Sequence, residues 1–169
     1  MPLGTRQPDT NRCVARRYSS WLWGLTALFA LRVAAQPLAR IVDHPLLPRF
    51  ESWHSAAVPY GLLLASQLVI VVAMVATARR FSTGRVEAQR TTGLVALWAG
   101  GVYLGAMVAR LTLGLTLLSE SRWFASWLPT LFHLVLAAFL LVVGAYHRRA
   151  TAVTAADRNR RYASQQARD

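Results

Sequence analysis

The sequence contains no lysine, a single cysteine and few acidic residues. With only Cys13, no disulfide can form within the chain and no CxxC redox motif exists, which excludes the thiol-oxidising four-helix membrane enzymes. All 19 basic residues are arginine, a bias typical of a GC-rich bacterial genome. Against 7 acidic residues they give a net charge of +12, which in a soluble protein would favour a nucleic-acid partner.

Four long apolar stretches separate these charges. A membrane-spanning helix needs about 20 mostly apolar residues, and we predict such helices at residues 20–41, 58–78, 92–118 and 123–146. They form one transmembrane domain over residues 20–147, preceded by an arginine-rich tail (1–19) and followed by a basic tail (148–169) that we predict to be disordered. The sequence therefore predicts an all-α integral membrane protein, a bundle of four transmembrane helices.

The arginines outside these stretches are distributed unevenly. Both tails and the middle connection hold fourteen of them, whereas the other two connections hold only Arg40, Arg49 and Arg122. Because positive charge accumulates in cytoplasmic segments, we expect both termini in the cytoplasm. The expected location is the bacterial plasma (inner) membrane, with several spans.

The first stretch has a second interpretation. Arg16 and Arg17, the apolar run that follows and the small residues 33–35 resemble a secretory signal with its cleavage site. Arg32 interrupts the run just before that site, which favours a retained helix. Cleavage would leave the topology of the other three helices unchanged.

Six of the polar residues inside the predicted spans are candidates for a ligand site, because hydrocarbon would disfavour them. Counting at about 1.5 Å per residue places five of them, all but Tyr103, in one layer between the membrane midplane and its outer face. We predict that the six residues bind a ligand. They are Arg32, Gln36, Gln67, Tyr103, Arg110 and His133.

The chemistry of this layer restricts the ligand. The predicted spans contain no acidic residue, which argues against cation transport, proton pumping and aspartate-dependent chemistry. Arginine binds carboxylate or phosphate with a two-pronged fork, and His with Gln can hold a quinone carbonyl. A lipid, a quinone or a small anion would fit, although no cofactor is firmly implied. Alternatively, the six residues simply satisfy one another, or acidic residues of the outer loops, Asp43, Glu51 and Glu120, supply counter-charges.

The sequence gives less support for haem binding, a metal site or catalysis. His133 and His147 are spaced by 14 residues, about 21 Å, as in helices that ligate two haems. The other histidines, His44 and His54, lie in the outer loop, so no facing helix supplies second ligands and haem is not expected. No metal site and no catalytic residues are predicted.

Small residues indicate helix packing. Gly101 and Gly105 form a GxxxG pair in the third span, and we predict that they pack against a neighbouring helix. In the fourth span, Thr130, His133 and Gly144 belong to a small and polar stripe of the kind that faces another helix.

The sequence thus favours a non-enzymatic accessory or assembly subunit of a bacterial membrane complex, with a buried site for a lipid, quinone or other carbonyl or anionic ligand. The alternative is a small oligomeric transporter or channel for an anionic solute. Expected partners are membrane lipid and either other membrane subunits or further copies of the chain. Nucleic acid is not expected, because no aromatic residues are interleaved with the charge of the C-terminal tail.

Overall fold

The computed structural model describes residues 7–41, 60–116 and 127–167. These residues form four helices, which we number in chain order: α1 (Gln7–Ile41), α2 (Tyr60–Ser82), α3 (Arg90–Thr116) and α4 (Trp127–Gln166). The predicted outer loop, with its histidines and acidic residues, lies outside the described residues. The all-helical fold of the described residues confirms the all-α part of the predicted class.

Three of the four helices are long and apolar enough to cross a membrane, as judged over the described residues: α2, α3 and the apolar part of α4. In the described residues of α1, whose apolar stretch contains Arg32 and Gln36, no such span is found. Membrane-crossing helices are therefore supported for α2 to α4.

α1 packs along one stripe that repeats every seven residues. Leu22, Phe29 and Gln36 are buried at intervals of seven residues. Ser19 and Thr26, which are also seven residues apart, are buried as well. Spacings that alternate between three and four residues keep a helix in contact with its neighbours along its length. The stripe is apolar and small at one end and becomes polar at the other.

α1 occupies the middle of the fold, between α2 and α4, and α3 packs on α4. Ser19 Oγ lies 2.7 Å from Ser82 Oγ, which sets the antiparallel register of α1 and α2. The Tyr18 and Tyr146 rings meet edge to face at 5.7 Å, which does the same for α1 and α4.

A short connection, residues 83–89, joins α2 to α3, and we call this end of the bundle the loop end. α2 stops at Ser82 because Gly84 adopts a φ of 65° and the Arg85 amide donates to the carbonyl of Arg80, a common way to end a helix. The connection is fastened to α4, since Tyr146 Oη donates to the Val86 carbonyl at 3.1 Å.

Glycines bring α3 and α4 close together. A Cβ atom added to Gly144 would lie 2.6 Å from Leu97 Cγ, and one added to Gly93 would lie 2.8 Å from His147 Cβ. Gly101 and Gly105 are exposed, and nothing within the described chain would lie within 4 Å of an added Cβ. The packing predicted for these two glycines would therefore have to involve something outside the described residues.

α4 is longer than the sequence predicts. It runs without interruption to Gln166, through residues for which we predicted a disordered tail, and α1 likewise begins within the predicted N-terminal tail. Loss of hydropathy marks where a helix leaves hydrocarbon, and it does not mark where a helix ends. The α4 extension is rich in alanine, the strongest helix former, and Ala150 packs into the same buried cluster as Ala15.

Candidate ligand site in a buried polar layer

The six predicted site residues lie toward the end of the bundle opposite the loop end. Gln36, Gln67, Arg110 and His133 are five to seven residues, about 8 to 10 Å, from the nearest end of their helices at that side. Arg32 lies one turn deeper than Gln36. Tyr103 starts deeper still, and its long side chain reaches His133. The residues thus share one zone of the fold, which we call the polar layer.

Tyr103 and His133 form a pair between α3 and α4. Tyr103 Oη lies 2.6 Å from His133 Nδ1, and the two rings are nearly perpendicular, at 89°. The positive charges of Arg32 and Arg110 both act on the His133 ring, and that of Arg110 also acts on Tyr103. Two arginines from different helices thus lie near one hydrogen-bonded pair.

Arg32 is 6% exposed. Its guanidinium carbon lies 5.0 Å from the centre of the Phe132 ring, a cation–π contact that holds the charge against α4. Its Nε atom is buried, and none of the described residues accepts a hydrogen bond from it. The stacking therefore positions the guanidinium and leaves its donor unused.

Gln36 and Gln67 occupy core positions of their helices. Gln36 is 1% exposed and Gln67 is 5% exposed, and Gln67 shares the buried face of α2 with Met74, Ala78 and Phe81. Both Oε1 atoms are buried and receive no hydrogen bond from the described part of the chain. Extending the register set by Ser19 and Ser82 places Gln67 opposite the turn of α1 between Arg32 and Gln36.

Five of the six residues of the polar layer, all but Arg110, fall into two parts with different hydrogen-bonding states. One part is the Tyr103–His133 pair, whose members bond to each other. The other, which we call the open triad, consists of Arg32, Gln36 and Gln67, each with a buried polar atom that no described residue satisfies. A buried polar atom without a partner destabilises a fold by about 1–3 kcal/mol, so the open triad is suited to hold a polar ligand.

Two residues of this zone were absent from the predicted site. Phe132 lies in an apolar run, so the sequence does not distinguish it from its neighbours, whereas the adjacent His133 is recognisable because it is polar. Thr130, predicted only as part of the small and polar stripe, is 1% exposed. Gly144 of the same stripe and the neighbouring Ala137 are buried as well, whereas His133 is half-buried.

The sequence predicts neither haem ligands nor metal ligands. In the described ranges no group of three His, Cys, Asp or Glu side chains could hold a metal ion. His147 Nδ1 accepts a hydrogen bond from the Gln89 backbone amide at 3.2 Å, so this ring fastens the connection at the loop end. His147 therefore has a structural role, and it lies far from the polar layer.

The fold is that of a helical protein with three helices able to cross a membrane and a buried polar layer near one end. The chain matches no model of a known protein family, no curated protein and no solved structure.

Proposed function

We propose that this chain is a non-enzymatic protein of the bacterial inner membrane that binds a lipid, a quinone or another carbonyl-bearing or anionic ligand in its polar layer. In this proposal it acts as an accessory or assembly subunit of a membrane complex. The observation that supports ligand binding most directly is the open triad, with three polar side chains buried to more than nine-tenths and unsatisfied within the described residues.

The composition of the layer supports an anionic or carbonyl-bearing ligand. The acidic residues among those described, Asp9, Glu87 and Asp157, lie toward the loop end of the fold. Arg32 therefore has no carboxylate close to it in the described chain. A charge of this kind in a region of low polarity is stabilised by a partner of opposite sign or by strong acceptors.

The proposed topology has four spans, with both termini and the 83–89 connection in the cytoplasm. The exposed arginines of the loop end support this orientation through the positive-inside rule. They belong to all the segments that meet there: Arg16, Arg17, Arg79, Arg80, Arg85, Arg90, Arg148 and Arg149. The polar layer would then lie beneath the outer face of the membrane.

The role as a subunit is supported by the outward face of α3. Gly101 and Gly105 are exposed there beside Trp98 and Val102, which are 73% and 66% exposed. Small residues allow close approach of a second helix in a membrane. A face of this kind fits a partner helix, whether from another subunit or from a second copy.

Native mass spectrometry of the protein, extracted gently from its own host, tests the proposal. We expect one copy of the chain together with other polypeptides and a bound lipid or quinone. A closed homo-oligomer without partners would contradict the subunit role and favour the alternative, an oligomeric transporter for an anionic solute.

Arg110→Leu then separates the two functions. Loss of partner assembly is expected for a subunit. Intact assembly with loss of anion flux in reconstituted vesicles is expected for a transporter.

A further inference from the structure

The open triad restricts its ligand more narrowly than the polar layer as a whole. We propose that it binds a phosphate group that also carries N–H or O–H donors, as in the head group of a phospholipid with an ammonium or hydroxyl group. This inference rests on the proposed function, since it concerns the same site, and it names the class of ligand.

Arg32 sets the requirement for an anionic oxygen. Its guanidinium is stacked on Phe132, so its planar donor edge is held in a fixed place, while its Nε–H has no acceptor in the described chain. Guanidinium groups bind phosphate oxygens through paired, charge-assisted hydrogen bonds. A phosphate would satisfy the donor and neutralise the buried charge together.

Gln36 and Gln67 set the requirement for donors. A carboxamide has an oxygen that accepts and a nitrogen that donates, so a buried glutamine needs both kinds of partner whichever way its end group is turned. A ligand with acceptors alone, such as a quinone or a halide ion, would satisfy Arg32 and leave both amide oxygens unpaired. Ammonium or hydroxyl groups beside the phosphate remove this deficit.

The position of the open triad suits a head group. It lies about 8 to 14 Å below the ends of α1 and α2 that are remote from the loop end. Tyr103 and His133 already satisfy each other, and the unsatisfied atoms of the triad belong to side chains of α1 and α2. A head group entering between these two helices would meet the triad first.

The test offers the purified full-length chain a choice of lipids that share a phosphate. The protein is equilibrated with vesicles containing equal amounts of phosphatidylethanolamine, phosphatidylglycerol and phosphatidylcholine, and retained lipid is measured by native mass spectrometry. The first two carry donors, whereas the quaternary ammonium of phosphatidylcholine carries none. We expect the first two to be retained about tenfold more than phosphatidylcholine, the ratio expected from one or two hydrogen bonds.

Matched variants connect that selectivity to the triad. Gln36→Leu together with Gln67→Leu should bring the retention ratio close to one, and Arg32→Met should reduce retention of all three lipids by about tenfold or more. Ser66→Ala is the control, because Ser66 is exposed beside Gln67 and its hydroxyl bonds to its own helix at Leu63. Circular dichroism of each variant confirms that the helices are intact.

Added inorganic phosphate identifies the source of the group. Displacement of lipid by millimolar phosphate would support the proposed chemistry with the free ion as ligand, and no displacement would support a lipid.

Equal retention of phosphatidylcholine, or preferential retention of an added quinone, would overturn this inference and leave the proposed ligand site standing. Retention of neither lipid nor quinone would overturn both.

Discussion

Tyr103 and His133 meet across the α3–α4 interface, with the phenol oxygen 2.6 Å from Nδ1 and the two rings almost perpendicular. Neither residue is satisfied by its own helix, so the bond joins two helices near the middle of the polar layer. Because these two side chains bond to each other, they form a group distinct from the open triad.

This pair should be energetically coupled. A double-mutant cycle of Tyr103→Phe and His133→Leu, measured by unfolding in detergent, should give a coupling free energy of about 0.6–1.5 kcal/mol. A coupling of zero would contradict the hydrogen bond. Thr112→Val provides a control, since the Thr112 hydroxyl bonds to its own helix at Val108 and should show no coupling to His133.

Replacing a glutamine of the open triad should stabilise the ligand-free protein. Gln36→Leu or Gln67→Leu removes a buried, unsatisfied amide and adds apolar contact, so the free energy of unfolding should rise by about 1–2 kcal/mol. Denaturant unfolding of delipidated protein measures this change.

The control for the glutamines is Thr26→Val on the same stripe of α1. The Thr26 hydroxyl is buried and already bonded to Leu22, so its removal should leave stability unchanged or lower it by up to about 1 kcal/mol. A glutamine variant that loses stability in the absence of ligand would show that the amide is satisfied within the protein.

Two glycines of the α3–α4 pair should respond in opposite ways to alanine. Gly144→Ala places a methyl group 2.6 Å from Leu97 Cγ and 2.9 Å from the Leu97 backbone nitrogen, and should lower the free energy of unfolding by about 1–3 kcal/mol. Gly101→Ala meets nothing within 4 Å in the described chain, and should raise stability by up to about 1 kcal/mol. Thermal unfolding of the monomer in detergent compares them, and equal effects would contradict this packing.

Tyr146 should control access to the connection at the loop end. Tyr146→Phe removes the hydrogen bond to Val86. It keeps the ring that packs on Phe81, with 4.7 Å between the two ring centres. Trypsin should then cleave at the exposed Arg85 about threefold faster or more, in line with the loss of about one hydrogen bond. Tyr162→Phe, at an exposed position, should leave the cleavage rate unchanged.

Sided labelling tests the four-span topology. Thr5→Cys and Ala163→Cys, each in a Cys13→Ser background, are treated with a thiol reagent that does not cross membranes. If all four helices span, both cysteines should react from the same side, in inverted vesicles, because the proposed topology places both termini in the cytoplasm. Reaction from opposite sides would mean that α1 does not cross.

The sequence predicts the number of helices in the described residues and the position of the apolar part of each, because long apolar stretches determine both. It underestimates α1 and α4 at the loop end, where alanine-rich packing between Ala15 and Ala150 extends the helices into charged sequence. Hydropathy contains no information about such extensions. The segments 117–126 and 42–59 lie outside the described residues, so the expected interfacial loops stay predictions.

The sequence predicts the position of the candidate site residues along their helices. It does not predict which of these residues bond to one another. Counting residues along each span places five of the six polar residues at a common depth, and in the structure those five lie near the same end of the bundle. Which of them bond to one another depends on how each helix is rotated about its axis, and this rotation is set by packing such as Leu97 on Gly144. For the same reason, the sequence motif at Gly101 and Gly105 did not reveal the glycines that contact α4.

α4 is a single helix of 40 residues, so its two ends are mechanically joined over about 60 Å. Phe132, near its start, touches Arg32 of the open triad, whereas Gln166 lies at its other end. A tilt of about 5° around Phe132 would move Gln166 by about 4–5 Å. Any tilt of α4 at the polar layer would therefore be transmitted to its C-terminal arginines, because the described helix has no break between them.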